Sequence, residues 1–244
     1  MSKLTLLVHG RSASTLMLRM LYETNQFKLW GTPPTGECTP FRNKPHTWNK
    51  TTIIKEWKKI YTPGDHILAK LPAFAFFIEE MLILEPDIIV LERPIIDIVR
   101  SYAAVGWMPG LHGLHAQVGI DVEATEKYEE LGGQLHDGDP HHLLGVIYSY
   151  SHWKTRLTLR DYPRALTVHY QELMTNPDMV FTQLEDFLGL DPEIYRAKWS
   201  RLMKTRHQAT GRSADREYHV PLPVKMTSSS ISGIEDAVQR FENI

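Results

Sequence analysis

The sequence predicts an α/β fold: one domain over residues 1–244, with a parallel central sheet flanked by helices in three layers. Three observations predict it. Short apolar runs alternate with helically spaced segments, the pattern of strand–helix–strand units and so of a parallel sheet. The first strand-like run leads directly into a turn of small residues and then a helix. No linker and no internal repeat divides the chain.

Residues 4–9 (LTLLVH) read as a buried strand, β-rich and apolar on both faces. Residues 10–15 (GRSAST) form a turn, and 16–24 show helical spacing, with Leu18, Leu21 and Tyr22 among the apolar positions. The stretch 28–50 is rich in Pro, Gly, Thr and Asn and reads as a loop. A helix over 51–60 precedes a second short strand at 66–70, closed by Leu71-Pro72, and 73–84 is helical. The clearest strand is 87–91. Pro94 suits the first turn of the next helix, where a missing N–H does no harm. That helix runs to about Val105, and the Gly- and His-rich residues 106–120 read as irregular. Helices follow over 121–131 and 141–162, then a strand at 165–169. An amphipathic helix over 177–188 is stopped by Gly189. Residues 206–233 are polar and weakly patterned, which predicts a mobile or ligand-ordered segment.

Composition excludes several classes. Lys plus Arg is 27 against 29 Asp plus Glu, a net charge of -2. That disfavours nucleic-acid binding through a broad basic surface, but leaves room for a local anion pocket. Cys38 is the only cysteine, so no intrachain disulfide forms and a thiolate metal site is unsupported. No apolar stretch reaches the length of a membrane span. The first eight residues resemble a strand, not a basic-then-apolar leader. These features predict a soluble, cytoplasmic protein, in which the Asn49-Lys50-Thr51 sequon goes unused.

Ligands of open parallel sheets bind at the carboxyl ends of the strands, and the turn after residue 9 lies at such an end. Backbone N–H groups in a tight turn followed by a helix N-terminus cradle an anion. Ser12, Ser14 and Thr15 add hydroxyls, and Arg11 adds a fixed charge. A polar cap on a buried helix is the competing reading. The common nucleotide P-loop needs two glycines five apart and then Lys-Ser or Lys-Thr. This turn has one Gly and no Lys, and the best strand ends in Leu91-Glu92-Arg93, without the usual magnesium-holding Asp.

A second anion site is available where that strand ends. Arg93 precedes a helix, and Ser101 lies eight residues on, a spacing that returns near the starting face. The planar guanidinium suits phosphate because it donates paired hydrogen bonds.

The two segments together resemble those of sulfotransferases that use 3′-phosphoadenosine 5′-phosphosulfate (PAPS). Residues 11–16 (RSASTL) are similar to the family's 5′-phosphosulfate loop, and residues 90–102 (VLERPIIDIVRSY) to its 3′-phosphate motif. A third stretch, 168–173 (VHYQEL) followed by Pro177 and 187–190 (FLGL), is similar to the family's late strand and helix. The resemblance spans positions 4 to 190. It implies a P-loop-NTPase-like sulfotransferase fold, with PAPS as co-substrate and no metal. It also implies a small-molecule, lipid or sugar acceptor whose hydroxyl or amine receives the sulfuryl group.

Roles follow residue by residue. Arg11 matches the basic residue at the 5′-phosphate and sulfuryl group, with Ser12, Ala13, Ser14 and Thr15 forming the loop around it. Arg93 and Ser101 match the 3′-phosphate ligands, and Tyr170 a residue near the adenine. The family's late Arg-Lys-Gly segment and Gly-Asp-Trp are missing. Of Arg206, Arg212 and Arg216, Arg212 after Gly211 is the candidate to replace them, solvated charges being the other reading. Glu37, in residues 35–40 (TGECTP), is the candidate general base, matching a Gly-Glu pair found in several branches of the family; His46 and His9 are secondary choices. Lys70 ends its strand where aryl-type members place a catalytic His and carbohydrate-type members a Lys, and so is a catalytic candidate.

His112, His115, His136, His141 and His142 invite a metal reading, but His112 and His115 are loosely placed and lack a companion acid at ligand spacing. Trp107, Met108, Leu111 and Leu114 read either as an apolar lid over the acceptor or as core. Two other classes stay open: a P-loop-like nucleotide kinase or phosphotransferase, and a non-catalytic nucleotide-binding protein. The acceptor's identity and the oligomeric state are not encoded in any motif.

Overall fold

The apolar runs become neighbouring strands of one parallel sheet, in a computed structural model that describes residues 3–9, 13–24, 26–29, 55, 65–70, 75, 77–109, 119–204, 219–221, 223 and 225–244. The chain divides into two units. The first is drawn from Met1–Asn43, Thr51–Arg93 and Tyr162–Ala209, the second from Lys44–Lys50, Pro94–Asp161 and Thr210–Ile244.

In the first unit, β1 (Lys3–Val8), β2 (Lys28–Leu29), β3 (His66–Lys70), β4 (Asp87–Glu92) and β6 (Ala165–His169) lie in the order β2-β3-β1-β4-β6. Every pairing is parallel. Leu6 and Leu7, neighbours on opposite faces of β1, are both fully buried, as are Ile88 and Ile89 on β4. Both faces of the sheet are therefore covered, which is what continuous apolar runs require. The chain thus adopts the expected α/β class.

Helix α1 (Ser14–Tyr22) contributes Met17, Leu18, Met20 and Leu21 to one core with Leu7, Leu68, Ile89, Leu91 and Val168 of the sheet. Helix α7 (Pro177–Leu188) adds Val180, Phe181, Leu184 and Leu188, and α8 (Pro192–Lys204) adds Trp199. Phe181 and Trp199 meet nearly edge-to-face, 5.9 Å between centroids at 71°, a favoured aromatic geometry. Each such side chain stabilises by roughly 1.5–3 kcal/mol through burial. This unit also holds two short α-helices, α2 (Ile78–Met81), which runs on into a 3-10 turn over Leu82–Leu84, and α6 (Tyr170–Thr175).

The second unit holds α3 (Ile95–Val105), β5 (Trp107–Pro109), α4 (Ile120–Glu130), α5 (Pro140–Leu159), β7 (His219–Pro221) and α9 (Ser228–Glu242). Asp139 caps α5 by accepting hydrogen bonds from the His141 and His142 amides, with Pro140 in the first turn. Thr227 caps α9 through the Ser230 amide. Two glycines let α5 and α9 approach closely. A Cβ on Gly145 meets Ile234 Cγ1 at 2.6 Å, and one on Gly233 meets the His142 ring at 2.7 Å.

Several sequence expectations change. Pro94 stands at the cap just before α3, not in its first turn. Part of 106–120 is a strand: β5 pairs antiparallel with β7, Met108 opposite Val220. The stretch 206–233 likewise contains β7 and the start of α9. Helices α6, α8 and α9 and the short β2 were not expected. The helix expected over 51–60 lies outside the described residues except for Lys55, which is helical. Among the described residues, no helix is long and apolar enough to cross a membrane.

Buried histidines make the second unit acid-sensitive. Burial, aided by Arg156, pushes His152 down to about 3, and burial beside His136 lowers His142. The native state keeps His152 neutral, whereas the unfolded chain takes up the proton below about pH 6.5. Stability is therefore complete above pH 6.5 and falls from there toward pH 3, at up to about 1.4 kcal/mol per pH unit for one such group. The expected result is a loss of several degrees in melting temperature between pH 7 and pH 5, with a shallower slope in His152→Leu. A flat melting profile over that interval contradicts it.

Candidate anion-binding site

Because the sheet is all-parallel, Val8, Lys70, Glu92 and His169 end their strands at one edge. The order reverses direction about β1, with β3 on one side and β4 on the other. That is the switch point at which doubly wound sheets bind ligands.

The chain leaves β1 and enters α1 through unusual backbone. His9 has φ 71° and Ala13 φ 69°, left-handed conformations that side chains with a Cβ disfavour by about 1–2 kcal/mol. Such outliers cluster at functional sites. No side chain caps α1 at Ala13, and helix geometry gives its first-turn N–H groups no intrahelical acceptor. Ser14 is buried and Thr15 half-buried in that first turn.

Lys70 reaches this point from β3. It is only 4% exposed, and its Nζ donates to Thr15 Oγ1 at 2.8 Å. A buried ammonium against the start of a helix concentrates positive potential there. On the other side of β1, Arg93 follows β4 and its guanidinium carbon lies 4.4 Å from the centroid of the Tyr170 ring. Lys70 and Arg93 leave strands two places apart, about 10 Å at ordinary strand spacing. The edge thus offers a cation on each side of the turn, suited to a ligand with two separated anionic ends.

The structure brings together Ala13, Ser14, Thr15 and Lys70, and separately Arg93 and Tyr170, all in the first unit. Ser101 lies on α3 in the second unit. Arg11, Ser12, Glu37 and Arg212 lie outside the described residues, as do His46, Arg206, Arg216, His112, His115, Leu111 and Leu114. The backbone of Trp107 and Met108 is in β5.

No protein-family model and no curated protein matches this chain. Among solved structures it is similar to a sulfotransferase domain from the curacin biosynthetic pathway, at 13% identity and a TM-score of 0.43, over 99% of this chain and 98% of that one.

One feature of the edge escaped the sequence. Glu92 and His169 face each other in the β4–β6 register, with His169 Nδ1 3.6 Å from Glu92 Oε2. Each is the last residue of its strand, the only sequence signal available. Two of the clustered histidines have structural partners: His141 bonds the Pro223 carbonyl at 2.7 Å, and His142 meets the Tyr128 hydroxyl at 3.3 Å. Tyr128 donates to Asp236, which also accepts from Arg240. Arg240 holds the Asp236 carboxyl below its usual range. Burial pushes the Tyr128 phenol up, and the bond to Asp236 adds to this. Among the described residues, no group of three or more His, Cys, Asp or Glu is arranged to hold a metal.

Proposed function

We propose that this chain is a PAPS-dependent sulfotransferase that transfers a sulfuryl group to a hydroxyl or amine of a small-molecule, lipid or sugar acceptor. The observation that carries the reading is the buried Lys70, hydrogen-bonded to Thr15 where α1 begins. It supplies a fixed cation at the turn whose sequence resembles the family's phosphosulfate loop. Arg93, beyond β1 at the same edge, supports it as the residue for a second phosphate. A cytoplasmic location belongs to the same proposal.

In this reading Thr15, Ser14, Ala13, Ser12 and Arg11 enclose the 5′ end of the nucleotide, and Arg93, Ser101 and Arg212 hold the 3′-phosphate. When bound, PAPS supplies a sulfuryl group whose bond to the bridging phosphate oxygen breaks as the acceptor oxygen or nitrogen bonds to sulfur. Lys70 and Arg11 stabilise the charge that develops on that bridging oxygen. Fixed donors of this kind are the largest single source of rate enhancement in many enzymes. Glu37 takes the acceptor's proton.

The deciding experiment is a melting curve with 3′-phosphoadenosine 5′-phosphate (PAP), AMP or ATP. A ligand bound only by the native state stabilises by about 2.7 kcal/mol at a hundred times its Kd, roughly 5–10 °C for a chain of this size. PAP is expected to give that shift and AMP much less. A shift with ATP and magnesium but not PAP points to a phosphotransferase. PAP binding without turnover, across hydroxylated acceptors and labelled PAPS, points to a nucleotide-binding protein. Turnover is expected to persist in EDTA.

A further inference from the structure

Strands β4 and β6 are fastened together twice where they leave the sheet. Glu92 lies opposite His169 in the register, and one residue further on, the Arg93 guanidinium lies over the Tyr170 ring at 4.4 Å. Both Arg93 and Tyr170 are half-buried. Tyr170 is the first residue of α6, and Leu173, one turn on, is fully buried in the core of the same unit. The ring is therefore held by a helix that is itself anchored, and it presents a fixed surface to the long Arg93 side chain.

A guanidinium bound through a π face keeps its hydrogen-bonding directions, because all five N–H donors lie in its own plane. Stacking on an aromatic ring thus orients Arg without competing with a phosphate for those donors. An Arg side chain loses about 2 kcal/mol of rotamer entropy when it is fixed. A ring that fixes it beforehand removes part of that cost from binding.

We infer that Tyr170 is a positioning residue for Arg93: it sets the guanidinium for the 3′-phosphate, and so governs selection of 3′-phosphorylated over plain adenosine nucleotides. The role differs from the adenine contact implied by resemblance. It rests on the sulfotransferase reading above, in which Arg93 holds the 3′-phosphate.

The test is calorimetric titration of PAP and of AMP into full-length wild type, Tyr170→Leu, Tyr170→Phe, Arg93→Ala and the Arg93→Ala/Tyr170→Leu double variant. Wild type is expected to prefer PAP. Tyr170→Leu lowers that preference roughly three- to thirty-fold, the range of a cation–π contact, by weakening PAP and leaving AMP in place. Tyr170→Phe restores the preference because it retains the ring face. In the Arg93→Ala background, Tyr170→Leu has no further effect. A ring that stacks on adenine instead weakens PAP and AMP in equal proportion, and that result overturns the inference; so does a Tyr170→Leu variant that binds both as wild type does. Wild type that binds PAP no better than AMP overturns the nucleotide reading itself, before any variant is measured. Tyr170→Met replaces Tyr170→Leu if the latter fails to fold, as judged by its melting curve.

Discussion

Lys70→Met is expected to lower kcat by roughly a hundred- to a thousand-fold, the size of effect seen when one preorganised donor is removed from a developing negative charge. Lys70 is almost wholly buried on β3. Its stem is packed by the surroundings, and its ammonium is committed to the start of α1 through Thr15. Met preserves the length and apolar character of the stem and removes only the charged tip, so packing changes little. The measurement is steady-state turnover at saturating PAPS, alongside the melting temperature. If Lys70 merely ties β3 to α1, the substitution lowers the melting temperature and leaves kcat near that of wild type. That result removes Lys70 from the chemistry.

Arg93→Ala is expected to weaken PAP binding by about 3 kcal/mol, roughly a hundredfold. Charge-assisted hydrogen bonds contribute about 1.5–3 kcal/mol each, and a guanidinium offers a phosphate two of them. The substitution also deprives the Tyr170 ring of its cation, but that contact lies outside the nucleotide and does not by itself reduce affinity for AMP. Calorimetry with both ligands therefore isolates the 3′-phosphate. Unchanged PAP affinity rejects Arg93 as a ligand of the nucleotide.

The elements legible in the sequence were those whose own residues decide their structure. Strands β1, β3 and β4 are short, mostly apolar runs, and burial on both faces is what such runs demand, while β6 buries only Val168 and is legible from its β-rich Leu166-Thr167-Val168. Gly189, at φ 70°, stops α7 where expected. Elements that depend on distant partners were not legible. Strand β2 is two residues long, and β5 and β7 define each other only by pairing across more than a hundred residues. Helix α9 did carry a signal, since Ile234, Ala237 and Phe241 recur at helical spacing and are all buried. Its serine-rich first turn obscured it. At the site, Thr15 and Lys70 were both named from sequence, but their hydrogen bond follows only from the β1–β3 register. The placement of the Arg93 guanidinium over the Tyr170 ring likewise follows from how β4 and β6 align.

The strand order also governs how this edge comes into being on the ribosome. Residues 94–161 are all made between β4 and the stretch that supplies β6. At about 5–20 residues per second their synthesis takes several seconds. Throughout that interval one flank of β4 has unsatisfied backbone donors and acceptors, the kind of open margin that recruits strangers. The guanidinium of Arg93 has no aromatic seat until Tyr170 emerges, so this corner of the edge is completed late in translation.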